Sequence, residues 1–321
     1  MTSVPPTTPA TDGHDPHPFE DLRHAALGTG ITRGGVTFFP VYLPTIVPTP
    51  FTTTIRTGDR ADLVIEEAER ESVPSVHVTN TGGEPALLVE GETIRGGLQQ
   101  RTINTTILIP AGRTVEVPVS CVESGRWSGE RSFSKGPSFA PPRVRAPKQE
   151  SVADDVESFG TRRSDQHAVW SGVDDALTSL GISSRTRNVA DADRLFEVDR
   201  DRRRDLRDLK RRGPLPGQVG VVVMHGRRPV AVELFATPGL LAEHWTAVVR
   251  SHLLDATDPP EGRPSLDRAL RFLRRVREAR QVTVPGVGLG TEHHLRSERV
   301  SGQALTWEGS ILHASAFALA A

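Results

Sequence analysis

Cysteine is nearly absent from this chain of 321 residues, with Cys121 standing alone. A lone thiol permits no intramolecular disulfide and no cysteine-based zinc cage, and it fits a reducing cytosol. Lysine is almost as scarce: Lys135, Lys148 and Lys210 are the only three, so arginine carries the positive charge. That bias invites a nucleic-acid reading, but 39 basic residues stand against 40 acidic ones, and the bias reads as codon composition. At a formal net charge of -1, no global field draws the chain to nucleic acid or to an anionic membrane. No segment approaches the ~20 consecutive apolar residues of a membrane-spanning helix. The N-terminus also lacks the basic region and apolar run of a signal peptide. Together these features predict a cytoplasmic protein with no nucleic-acid or membrane partner. Hydrophobic residues make up 36% of the chain. Ordinary domains reach ~45–50%, a figure that also counts glycine, so long polar segments must lie outside the core.

What is present divides into four stretches. Residues 1–17 are rich in Pro, Thr and Asp and read as a disordered tail. Residues 18–321 read as a single α+β domain. A short helix is expected over Phe19–Leu27, a strand over Val36–Pro44 and a helix over Ala61–Glu71. Four strands follow at Ser75–Asn80, Ala86–Glu92, Thr102–Pro110 and Thr114–Glu123. The short turns between them predict antiparallel pairing. Regular patterning is lost from 128 to 163, where Ser, Pro, Gly and Arg dominate. That length exceeds an ordinary connection and reads as a flexible insertion, either disordered or a functional flap. Helix returns from Ser164 to a stop at Gly181, with Val169, Val173, Ala176 and Leu177 on one face. A charged helix is expected over Asp191–Arg212, where interspersed aspartates imply a salt-bridged solvent face. A hairpin pairs Gln218–Met224 with Pro229–Ala236, leaving His225 exposed near its tip. Helices follow from Thr237 and Ser265, and strands at Val282–Val287, Glu298–Trp307 and Ile311–Ala318. The predicted class is α+β, with antiparallel β-sheets in a sandwich-like core and α-helices packed on them.

The densest unusual polar residues lie between Ala86 and Trp127. In one continuous strand Glu90 and Glu92 would share a face with Leu88. Two carboxylates on one face can bind a cation or raise one pKa for acid–base work; the plainer account is a solvated strand face. The following turn brings Gln99, Gln100 and Arg101 beside them, and Gly96-Gly97 allows positive φ and close approach to a ligand. Cys121 falls in phase with Val115, Val117 and Val119, which reads as core rather than as a nucleophile. Glu123, Arg126 and Trp127 follow the last strand. An Arg beside a Trp suits stacking on a planar ring, or simply Arg packed on a half-buried Trp. Gly286, Gly288 and Gly290 do not match a dinucleotide fingerprint, and Glu292-His293-His294 lacks metal-ligand spacing. No cofactor and no metal follow from the residues.

The run from Gly91-Glu92 through Gly97, Gln99 and Arg101 to Val-Ser-Cys-Val-Glu-Ser-Gly-Arg-Trp at 119–127 resembles a bacterial family. That family is the ARG and rhodanese–phosphatase-superfamily-associated protein domain, where ARG denotes ADP-ribosylglycohydrolase. Gln100 stands where the family pattern has Asn, which keeps the amide but lengthens it. The resemblance continues through Gln166–Trp170, the hairpin and the SGQALTW segment, and so covers most of the chain from about Phe19. It implies a setting of NAD or ADP-ribose chemistry and no particular activity.

Two readings follow. In one, the protein binds or transforms a nucleotide-derived small molecule of ADP-ribose type. Glu92 and Glu123 then act as acid–base groups, Arg101 and Arg126 hold phosphate, Gln99 hydrogen-bonds and Trp127 stacks. In the other, the same charges pair with one another inside a non-enzymatic interaction module. An open cleft favours the first; mutual pairing favours the second. A third reading, a thiol enzyme built on Cys121, needs an accessible sulfur with a base in reach.

Overall fold

The computed structural model describes residues 18–44, 63–68, 74–258 and 261–319; the expected tail at 1–17 lies outside them. The chain opens on a 3-10 turn at Glu20–His24, shorter than the helix expected there. It then enters strands β1 (Ala26–Leu27), β2 (Ile31–Arg33) and β3 (Val36–Tyr42). The next strands are β4 (Leu63–Glu67), β5 (Ser75–Asn80), β6 (Ala86–Leu88), β7 (Glu92–Gly96), β8 (Arg101–Ile103), β9 (Ile107–Ile109), β10 (Thr114–Cys121) and β11 (Phe133–Phe139). Helices α1 (Pro142–Phe159), α2 (Gln166–Ser179), α3 (Leu195–Val198) and α4 (Arg200–Arg212) come next. The rest is β12 (Gly220–His225), β13 (Arg228–Phe235), α5 (Pro238–Asp255), α6 (Leu266–Arg277), β14 (Arg280–Pro285), β15 (Thr291–Ser297), β16 (Val300–Trp307) and β17 (Ser310–Ala318). The class is α+β, and the strand pairings are antiparallel.

The larger sheet runs β1-β3-β12-β13-β17-β16-β15-β14, with β2 also paired to β3. The predicted hairpin, β12–β13, therefore lies in its middle and is buried on both faces. That is why both arms are apolar rather than alternating. A second sheet runs β11-β7-β8-β10-β5-β4. Its outer strands meet again through Glu67 N, which donates to Arg131 O at 2.9 Å, so the sheet curls into a half-barrel. Strands β6 and β9 pair separately and cover its interior. Leu63, Ile65, Val76, Ile94, Ile103 and Val117 fill the space between. Each such fully buried side chain contributes roughly 1.5–3 kcal/mol relative to exposure. The pair β6–β9 is tied to the larger sheet where Leu289 N, in the glycine-rich turn before β15, donates to Leu108 O at 2.7 Å. Helix α5 packs on one face of the larger sheet through Leu241, Trp245 and Val248, and α6 on the other through Phe272 and Val276. Thr237 caps α5 by accepting from Leu240 N at 3.0 Å.

Six sequence expectations are corrected. Ala61–Glu71 is not helical where it is described: Leu63, Ile65 and Glu67 point inward and Val64 and Glu66 outward, a period of two. Ala86–Glu92 is not one strand, because Gly91 at φ +83° turns the chain between β6 and β7. Thr102–Pro110 is likewise split, at Asn104–Thr106, where the chain leaves the curled sheet for the pair β6–β9. The stretch 128–163 contains β11 and the 18-residue α1, with Pro142 in the first turn and Gly160 at φ 68° as its stop. His225 is buried rather than exposed at the hairpin tip. The helix expected over Asp191–Arg212 breaks at Asp199, whose side chain caps α4 instead. Ion pairs such as Arg204–Asp201 at 2.9 Å and Arg211–Asp208 at 2.5 Å run along α4. Strand β15 had no counterpart among the sequence expectations.

Candidate functional site

Four of the expected site residues gather at the rim of the curled sheet. The turn from β7 to β8 passes through Gly96 at φ +116° and Gly97 at φ +56°, as its glycines imply. Strand register then sets Arg101 opposite Cys121. The Arg101 guanidinium donates to Gln99 Oε1 at 3.1 Å and to Cys121 Sγ at 2.5 Å, and pairs with Glu67 Oε1 at 3.5 Å. Glu123 accepts from Gln100 N at 3.1 Å, Thr186 Oγ1 at 2.8 Å and Arg126 Nε at 2.9 Å. Arg126 also donates to the carbonyls of Gly97 at 2.8 Å, Gly96 at 3.1 Å and Ser128 at 2.6 Å. Arg101, Gln99 and Glu123 are buried, whereas Trp127 is 59% exposed. The rim cluster is thus a set of mutual contacts. None of its members lines the cavities of about 410 and 470 Å3 found elsewhere. Burial pushes the Cys121 thiol up to about 11 against the pull of Arg101, and the sulfur meets Arg101 rather than a histidine. A thiol so raised is not a nucleophile at neutral pH.

Glu92 does not join the rim. Its carboxylate closes the Gly91 turn, accepting from Val89 N at 3.0 Å, and pairs with Lys135 Nζ at 2.5 Å and His244 Nε2 at 3.2 Å. Burial alone would raise this carboxyl; the Lys135 ammonium and the His244 contact outweigh it and hold it at about 2. Glu90 points elsewhere again, into a network that sequence reasoning missed. Arg145 Nη2 meets Glu90 at 2.6 Å, Arg145 Nη1 meets Glu233 at 2.5 Å and Lys148 Nζ meets Glu90 at 2.8 Å. Gln149 Nε2 and Ser315 Oγ complete Glu90 at 2.8 and 2.9 Å, and His313 Nε2 lies 3.4 Å from Glu233. Arg145, Lys148, Glu90, Glu233 and His313 have no exposed side-chain surface. Burial opposes ionisation of Glu90, yet Arg145 and Lys148 hold it well below the usual carboxylate range. The rings of Phe139 and Phe317 lie 5.2 and 4.8 Å from the Arg145 guanidinium carbon, which suits a desolvated cation. A signal for this network was present. Glu233 interrupts an otherwise apolar strand, and a carboxylate there demands a buried cation.

In β15, Glu292 accepts from His294 Nε2 at 3.1 Å and Arg162 Nε at 3.2 Å. Among the described residues no cluster of three His, Cys, Asp or Glu side chains could hold a metal.

Residues 24–317 match the ARG and Rhodanese-Phosphatase-superfamily-associated Protein domain, ARPP-1. The chain belongs to this family. No curated protein and no solved structure matches it. The ARPP-1 span runs from just before β1 into β17, so it takes in both sheets, the rim cluster and the buried network. The family name sets the chain in the context of ADP-ribosylglycohydrolases. No helix among the described residues is long and apolar enough to cross a membrane.

Proposed function

We propose that this chain is a non-catalytic interaction module working beside ADP-ribosylglycohydrolase-type enzymes, with the rim cluster as its internal framework. The supporting observation is the state of Glu123: both carboxylate oxygens are occupied, by Thr186 on one side and by Gln100 N and Arg126 on the other. A general acid or a phosphate clamp needs a free valence towards substrate. Trp127, exposed beside this framework, is the side chain offered to a partner, and exposed aromatics are frequent anchors of protein interfaces. A thermal-shift screen against NAD, ADP-ribose, nucleotides and divalent metals tests the reading. Arg126→Ala should lower the melting temperature with and without ligand alike, and no ligand should raise it. Size-exclusion chromatography with an ADP-ribosylglycohydrolase should give a complex that Trp127→Ala weakens.

One observation favours the second reading, a site for a nucleotide-derived molecule of ADP-ribose type. Buried Gln99 Nε2 and Arg101 Nε have no hydrogen-bond partner among the described residues, and an unpaired buried donor is costly unless a ligand or water meets it. In that reading Arg101 and Arg126 hold phosphate, Gln99 donates, Trp127 stacks and Glu123 is the acid–base group. Glu92 would act only through a rearrangement of the Lys135 and His244 contacts. Stabilisation by ADP-ribose that Arg126→Ala abolishes would establish this reading and defeat the first.

A further inference from the structure

Helix α1 crosses the larger sheet strand by strand. Arg145 meets Glu233 on β13 at 2.5 Å and Gln149 meets Ser315 on β17 at 2.6 Å. Asp154 then pairs with Arg296 on β15, and Glu157 with Arg280 on β14. Strand β14 is the last of that sheet among the described residues. Val152, Val156 and Phe159 share one face of α1, at i, i+4 and i+7. The two valines are buried, yet Phe159 is 78% exposed. The helix thus overhangs the sheet edge, and its final apolar side chain stands over the place that a further strand would fill.

A second observation concerns the backbone of β14 itself. Gly286 N donates to Gly290 O at 2.9 Å, in the register of the β14–β15 pair. Antiparallel bonding alternates along a strand. The backbone groups of Val282 and Val284 therefore turn to β15, and those of Gln281 and Thr283 turn outward. Arg162 Nη2 donates to Pro285 O at 2.6 Å and closes that end of the edge, where proline has no N–H to offer. The middle of the strand carries no charged side chain and no bulge. It therefore lacks the devices that keep an open edge from pairing.

We propose that two copies of this chain pair through β14, antiparallel and centred on Val282, with Phe159 of each copy covering the strand of the other. The sequence of β14 is its own complement in that register. Gln281 lies opposite Thr283 of the second copy, so the outward N–H and C=O groups bond one another. Val282 meets its own counterpart on the α1 face, and Arg280 lies opposite Val284, so no like charges oppose. The contact is isologous and closes at two copies. Edge pairing alone buries little surface; the two Phe159 rings and the two Val282 side chains supply an apolar centre. No residue of the rim cluster takes part, so the proposal does not depend on which reading of that cluster holds.

Sedimentation equilibrium of the full chain at micromolar concentration should give about twice the 34.9 kDa of one copy. Thr283→Pro removes an outward N–H without breaking a bond to β15, and should leave a monomer with unchanged far-UV circular dichroism. Phe159→Ala, at an exposed helix end, serves if the proline variant does not fold, and should weaken the dimer about tenfold. Cross-linking checks the register. Val282→Cys should give a disulfide-linked dimer under mild oxidation, because counterpart Cα atoms in a non-hydrogen-bonded pair lie about 4.5 Å apart. Val284→Cys, set opposite Arg280, should not, and the native Cys121 is buried. A monomer at every concentration would overturn the proposal and leave the edge to a strand of a different protein. A dimer indifferent to both Thr283→Pro and Phe159→Ala, or one cross-linked through position 284 and not 282, would also overturn it.

Discussion

At the scale of single residues, Gly91 has the largest structural consequence. It combines φ +83° with a position where a Cβ would collide with the Arg145 guanidinium. The two penalties act together, one on the backbone and one on the buried ion network. Gly91→Ala should therefore cost about 2–4 kcal/mol, read as a lowered urea midpoint. A midpoint unchanged from wild type would show that the turn can be remade without glycine. Glu92, one residue on, gives a pH prediction. Its folded pKa of about 2 lies below the usual value of a free glutamate. A depressed carboxylate stabilises the fold above its unfolded pKa, and the contribution is lost as pH falls through the folded one. The shift corresponds to roughly 3 kcal/mol, lost between about pH 4.5 and about pH 2. Glu92→Gln should flatten that part of the acid slope when unfolding is compared at about pH 6 and about pH 3. An equally steep slope in the variant would assign the acid sensitivity to other carboxylates.

At the scale of elements, α1 separates what was legible from what was not. The antiparallel hairpin β12–β13, the capped start of α5 and the phase of Cys121 with its valines were all readable, because each depends on neighbours close in sequence. Helix α1 was not. Its sequence is proline-bearing and charged, and its buried side includes Arg145, Lys148 and Gln149 rather than an apolar stripe. Such a face is stable only with Glu90 and Glu233, which lie 55 and 88 residues away. The shared face assigned to Glu90 and Glu92 failed for a related reason. The alternation rule holds within one strand, and Gly91 ends the strand between them. At the rim, by contrast, the Gly-Gly turn and the cross-strand register do bring Gln99 and Arg101 beside Glu123 and Arg126, although the pairing that occupies them depends on Glu67 and Thr186. Hydrogen exchange tests the corrected view of 128–163. Amides in the middle of α1 should exchange as slowly as those of β12, through global opening only. Exchange within seconds would mean that this segment is a flap after all.

At the scale of the whole molecule, the Arg145 network joins three layers. Glu90 comes from the turn that leads into the curled sheet, Arg145 and Lys148 from α1, and Glu233 from the centre of the larger sheet. With His313 held neutral by burial, two anions face two cations in an enclosed space. Removing one member leaves a buried charge unpaired, which costs about 3–5 kcal/mol, whereas removing a matched pair costs less. Arg145→Met should therefore lower the urea midpoint sharply. Arg145→Met combined with Glu233→Gln should recover part of the loss, because Glu90 and Lys148 remain a neutral pair. The same network predicts that both sheets unfold together. Fluorescence from Trp245 beneath α5 and far-UV circular dichroism should give coincident transitions in the wild type. If the double variant loses as much as the two single variants summed, Arg145 and Glu233 are not coupled. The sheets would then be held together by the apolar contacts of Leu87, Val89 and Leu108 against α5 and β12.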